Sequence, residues 1–129
     1  MMIVAPMQAA GALDMLNNEG HTVLMYAAMH KLDSVVEQLL FANAKPKLTD
    51  TNGLTALLMA CGRGHTTAAE LLISPTAACG DLDMQGNMGH TAVMLAVERG
   101  LSSVVERLIT AGAKPEVTDK GGMTALALA

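Results

Sequence analysis

Apolar positions along this chain come in paired blocks separated by polar, turn-rich segments. Leu24, Met25, Ala27 and Ala28 form a stripe at helical spacing, so the first block reads as a helix starting near Thr22. Val35, Val36, Leu39 and Leu40 form a second stripe. It predicts a helix from about Asp33 to Ala42, with Asp33 or Ser34 as N-cap. Asn43 stands where that helix must end, and Asn tolerates the left-handed conformation such an end requires. Lys45 to Gly53 then leads the chain out as an arm. Pro46 cannot continue a helix, and Asp50 to Gly53 is rich in turn formers.

The same cycle returns. Thr55 to about Gly62 predicts a first helix, Gly64-His65 a tight turn, and Thr66 to Ile73 a second helix burying Ala69, Leu71, Leu72 and Ile73. About three extra residues around Ser74-Pro75-Thr76 are expected to lengthen the exit from that helix. The third cycle runs from Thr91 to Arg99, turns at Gly100, and continues from Ser102 to Ala111, with Gly112 in the slot of Asn43. Thr22, Thr55, Thr91 and Thr124 stand third in similar octets that open on Gly20, Gly53, Gly89 and Gly122, and are spaced 33, 36 and 33 residues apart. Self-similarity at such a period means stacked units, each held by its neighbours.

The units divide as a partial leading repeat at 1–16, repeats at 17–49, 50–85 (with the three-residue insertion) and 86–118, and a partial trailing repeat at 119–129. Pro6, Gly11, Leu13, Asp14 and Met15 recur 69 residues later as Pro75, Gly80, Leu82, Asp83 and Met84, which places the opening residues in a repeat's outgoing loop. Met1 to Val4 and Thr124 to Ala129 are nearly all apolar. Neither resembles a polar cap, so a head-to-tail contact between copies is one expectation.

Composition sharpens this picture. The chain has 129 residues, 51% of them hydrophobic but only 2% aromatic, with eleven Met. Small and flexible side chains suit thin helix pairs lying close together, and Met25, Met59 and Met94 read first as core. Net charge is −4, with both signs scattered and no basic block, which argues against nucleic acid. No apolar run reaches the roughly 18 residues of a membrane helix, and the first residues lack the basic region of a signal peptide. Cys61 and Cys79 occupy non-equivalent slots. They read as free thiols in a reducing, cytoplasmic compartment.

Candidate chemistry is sparse. Asp81-Leu82-Asp83-Met84-Gln85-Gly86 imitates the start of a calcium loop, but Ala92 stands where the bidentate Glu belongs. A hairpin turn explains the segment better. Gly62-Arg63-Gly64-His65-Thr66-Thr67 lacks the Lys-Ser/Thr ending of a phosphate loop. Cys61 and His65 have the spacing of a thiol–imidazole pair, but Cys61 aligns with Ala28 and Val97 and reads as core. His21 and His90 share a slot two repeats apart, too far for one metal. His65 is expected to hold its turn by hydrogen bonds. No metal, cofactor or catalytic grouping is expected.

A unit of 33 residues with a turn, two short helices and an outgoing hairpin resembles the ankyrin repeat. The family's T-P-L-H-x-A motif stands here as Thr22-Val23-Leu24-Met25-Tyr26-Ala27, Thr55-Ala56-Leu57-Leu58-Met59-Ala60 and Thr91-Ala92-Val93-Met94-Leu95-Ala96. Its Gly-His turn is intact as Gly64-His65, half kept as Gly100-Leu101 and replaced by Lys31-Leu32. The family's Pro becomes Val or Ala, and its His becomes Met, Leu or Ala. An apolar contact is expected in place of that His, with Thr still capping the helix.

The resemblance implies an all-α, ankyrin-type solenoid of stacked helix-turn-helix units with short hairpin-like loops. It implies a non-catalytic scaffold for protein–protein interaction, gripping a partner on the concave face of hairpins and first helices. By position that face includes His21, Met29 and His30 in the first repeat, then Thr49, Thr51, Asn52, Leu54, Gly62 and Arg63 in the second. It includes Gln85, Asn87, Met88, His90, Glu98 and Arg99 in the third, and Thr118, Lys120 and Met123 beyond. The set holds no Trp, Tyr or Phe and two Arg, so either modest affinity or anchoring through Arg63 and Arg99 is expected.

Overall fold

A computed structural model describes residues 16, 20–42, 44–80, 82–87, 89–114, 117 and 119–122. Among these residues the chain forms six helices and no strand. They are α1 (Val23–Met29), α2 (Asp33–Phe41), α3 (Ala56–Arg63), α4 (Thr66–Ala78), α5 (Ala92–Glu98) and α6 (Ser102–Thr110). Helices α1, α3 and α5 pack in one row, and α2, α4 and α6 in a second row behind it. Each helix pair packs mainly on its neighbours, as in a solenoid.

The threonines explain why the first helices start where they do. Thr22, Thr55 and Thr91 are extended N-caps, each buried, and their hydroxyls accept from the backbone N–H of Met25, Leu58 and Met94 at 3.1, 3.2 and 3.3 Å. Helices of seven or eight residues are marginal alone. Here one residue in two or more is buried, and the row in front is dry: Leu24, Leu57 and Val93 are each 1% exposed. Behind it Leu39, Leu72 and Leu108 occupy equivalent slots and are fully enclosed. Met25, Met59 and Met94 are core residues as expected.

At Thr22 the expectation of a purely apolar contact needs correcting. The Met25 thioether accepts from the Thr22 backbone N–H at 3.4 Å, which closes a reciprocal capping box with a weak sulfur acceptor.

The second helices depart from expectation at both ends. Neither Asp33 nor Ser34 caps α2. The N-cap is Leu32, with no side-chain bond, because Leu32 N–H already donates to Ala27 O in the tight turn out of α1. Asp33 instead sits in the first turn, where a carboxylate suits the helix dipole. The buried stripes of α2 and α4 are also narrower than read, since Val35 and Leu40 in α2 and Leu71 in α4 are half-buried. In α4 the three extra residues do not lengthen a loop. They add a helical turn through Pro75, whose carbonyl accepts from Cys79 N–H at 3.3 Å. Thr76 is thereby buried. Asn43 lies outside the described residues.

The turn between helices demands a left-handed residue. Gly64 and Gly100 meet it with φ of 75° and 68°, and Lys31 fills the same slot with φ of 59°. A side chain in that region costs about 1–2 kcal/mol. Lys31→Gly is therefore expected to stabilise the fold by roughly 1 kcal/mol, net of the extra freedom glycine has when unfolded. Chemical denaturation would show it as a higher midpoint with an unchanged slope.

Candidate functional site

The arms between repeats are built around a carboxylate. Asp50 Oδ1 accepts from the N–H groups of Asn52 and Leu54, both at 2.9 Å, and Gly53 N–H donates to Asp50 O at 3.0 Å. Asp119 repeats this geometry, accepting from Gly121 N–H at 2.9 Å. Each carboxylate also faces a histidine of the preceding arm. His21 Nε2 lies 3.4 Å from Asp50, and His90 Nε2 lies 3.5 Å from Asp119 and 4.0 Å from Glu98.

The middle joint is different. Leu54 takes the histidine slot and Gly86 the aspartate slot. A Cβ on Gly86 would fall 2.8 Å from Leu54 Cδ2. A polar joint, an apolar joint and a polar joint thus alternate along the stack.

The arms are also tied to one another. Asn87 N–H donates to Asn52 O at 3.0 Å and its Nδ2 to Thr51 O at 3.2 Å. Gln85 Nε2 donates to Gly89 O at 2.7 Å. Lys114 N–H donates to Asp83 Oδ1 at 2.7 Å, so that carboxylate serves an arm. Asp81 lies outside the described residues.

Between these arms and the first-helix row lies a half-open groove of about 560 Å³. His21, Met29, Asn52, Leu54, Gly62, Arg63, Asn87 and His90, all expected on the concave face, line it together. So do Asp50, Leu58, Met59, Gly86 and Leu95, which sequence reasoning did not place there. Met59 and Leu95 follow a helical stripe that reads as core, and each nonetheless shows an edge to the groove. Asp50 and Gly86 had a signal in the sequence: they share a slot with Asp119, opposite His21, Leu54 and His90.

Seven expected residues lie off this groove. His30 stacks on Tyr26 with ring centroids 4.2 Å apart, and both are exposed. Thr51, Gln85, Glu98, Arg99 and Lys120 are exposed and Thr49 is half-buried. Met88, Thr118 and Met123 lie outside the described residues, as do Met1 to Val4 and Thr124 to Ala129.

The other candidate chemistry resolves into structure. His65 does not simply hold its own turn. Its Nδ1 lies 2.9 Å from Ala28 O, which can only accept, so the ring donates across to the preceding repeat. Cys61 is fully buried, and burial pushes its thiol up to about 12. It stays a neutral core side chain at neutral pH.

A thiol reagent at pH 8 is therefore expected to modify exposed Cys79 promptly and Cys61 only on unfolding. Cys61 also has a pH consequence. Above about pH 9 the unfolded chain ionises this thiol, while the fold holds it protonated up to about 12. Stability should fall as pH rises through that window, and Cys61→Ala should remove this part of the fall.

Among the described residues no three His, Cys, Asp or Glu side chains converge as a metal site. None of the helices described is long and apolar enough to cross a membrane.

The sequence matches a family model described as ankyrin repeats in three copies, over residues 24–119. It is 37% identical over 98 residues to human ankyrin repeat domain-containing protein 63, covering 73% of this chain and 25% of that protein. It is 34% identical over 122 residues to human B-cell lymphoma 3 protein, covering 92% of this chain and 27% of the relative. Against mouse NF-kappa-B inhibitor alpha it is 33% identical over 104 residues, covering 78% of this chain and 33% of the relative. The chain thus spans about a third or less of the length of these relatives. The matched repeats, the recurring threonine caps and the two helix rows together place this chain in the ankyrin repeat family.

Proposed function

We propose that this chain is a non-catalytic module that binds another protein in the groove between its arms and its first-helix row. The observation that carries the reading is the groove itself. Its floor is apolar through Leu54, Leu58, Met59 and Leu95, while polar groups stand at its rim. Apolar concavities with a few placed polar groups are where proteins take ligands. Family membership supports the class of function, since ankyrin repeats generally serve protein interaction without chemistry. One relative is, by its name, an inhibitor of NF-kappa-B.

Affinity capture from cell extract tests the face used. A specific partner should be retained by the native chain and by Ser103→Glu on the outer row. It should be lost on Arg63→Glu combined with Arg99→Glu. Equal recovery by all three would move binding elsewhere. The rival reading, head-to-tail assembly through the apolar ends, predicts a mass that grows with concentration in light scattering.

A further inference from the structure

The residue eight places after each capping threonine is His30, Arg63 and Arg99 in turn. All three are exposed at the C-terminal ends of the first helices, so they form a column along the rim of the concave face. Among the described residues neither Arg63 nor Arg99 has a carboxylate partner. The acidic groups of this face lie elsewhere: Asp50 and Asp119 are engaged in the arms, and Glu98 turns to His90. The concave face is therefore split, with carboxylates drawn to histidines on the arm side and unpaired guanidiniums on the helix-end side.

A helix dipole alone would favour cations at these ends. It does not explain Gly62. This residue precedes Arg63 inside α3, in the slot that carries Met29 in the first repeat and Glu98 in the third. Glycine inside a helix is destabilising by about 1 kcal/mol against alanine. Yet nothing crowds the site: a Cβ there would meet only Leu95 Cδ1, at an ordinary 3.8 Å. The missing side chain opens the groove beside Arg63, against local helix preference. Residues that break a local rule without a packing reason are where function is expected.

The step between neighbouring first helices fits an extended occupant. Packed helices lie about 8–10 Å apart. A polyproline II segment advances about 3.1 Å per residue and repeats its face every three residues, a step of about 9 Å. Carboxylates at i and i+3 of such a segment would meet Arg63 and Arg99. A bulky aliphatic side chain between them would drop into the space over Gly62.

We propose that an extended acidic segment binds along the helix-end rim, where Arg63 borders the groove and Arg99 stands just outside it, with carboxylates three residues apart and an aliphatic residue between them that enters the groove. This rests on the protein-binding reading above and names the chemistry of its partner. Charge-assisted pairs fix the register, and the aliphatic side chain supplies the buried area.

The probe is a fluorescent nine-residue peptide repeating Glu-Leu-Pro, with Lys-Leu-Pro and Glu-Ser-Pro repeats as controls, read by anisotropy at low and moderate salt. The native chain should bind the first peptide at least tenfold more tightly than either control, and more weakly as salt rises. Arg63→Glu should lower that affinity at least tenfold. Gly62→Leu should do the same while raising the unfolding midpoint, which separates a filled groove from a failed fold. Equal binding of the three peptides, or indifference to both substitutions, would overturn the proposal. Absence of binding by the native chain would overturn it too. If capture of a protein partner still depends on Arg63 and Arg99 in that case, the broader reading survives and only this chemistry falls.

Discussion

Replacing Gly89 by alanine is expected to destabilise the fold by about 3 kcal/mol, against about 1 kcal/mol for the same change at Gly100. Both glycines are left-handed, with φ of 85° and 68°. Both therefore incur the conformational penalty. The surroundings differ. A Cβ at Gly100 meets nothing within 4 Å, whereas at Gly89 it would stand 2.6 Å from the backbone N of Lys120. Backbone cannot rotate aside, so the arms of adjacent repeats must separate. In a stack held by nearest-neighbour contacts the damage should concentrate at that joint. Chemical denaturation gives the two magnitudes, and amide exchange should show extra opening in α5 for Gly89→Ala alone. Equal effects at the two sites would mean that the close approach of the arms does not matter to stability.

What the sequence revealed, and what it hid, follows from how local each signal is. The threonine caps were legible because a cap is a short-range device, written in one residue and the turn after it. The left-handed turn was legible at Gly64 and Gly100 but not at Lys31. There the same conformation is imposed by the helices on either side, and the side chain opposes it. Pro75 misled for a related reason. A proline removes one helical bond, but the turn around it buries Thr76 and continues to Ala78, so packing overrides the local break. In the groove the outward residues of each arm could be read by position. Met59 and Leu95 could not, since a helical stripe does not say which of its apolar members keeps an edge open. The Met25 sulfur bond was hidden because it depends on a rotamer, not on residue type.

The middle joint offers a sharper test of how repeats choose their neighbours. Gly86→Asp is expected to cost about 3 kcal/mol, since it drives a Cβ toward Leu54 Cδ2 and sets a carboxylate against an apolar side chain at a buried position. Gly86 does not have a positive φ, so backbone strain adds nothing to that figure. Leu54→His alone loses apolar area in the groove, at about 1 kcal/mol. Together the two changes rebuild the joint that His21 makes with Asp50 and His90 makes with Asp119. The carboxylate would then accept from the arm's own N–H groups and face an imidazole, as at the two polar joints. A double-mutant cycle should therefore show the pair recovering more than about 1 kcal/mol relative to the sum of the singles. Strict additivity would mean that His/Asp and Leu/Gly are unrelated choices at each slot. Recovery would mean that every arm is matched to the next one, and that repeats of this chain cannot be shuffled without exchanging both sides of a joint.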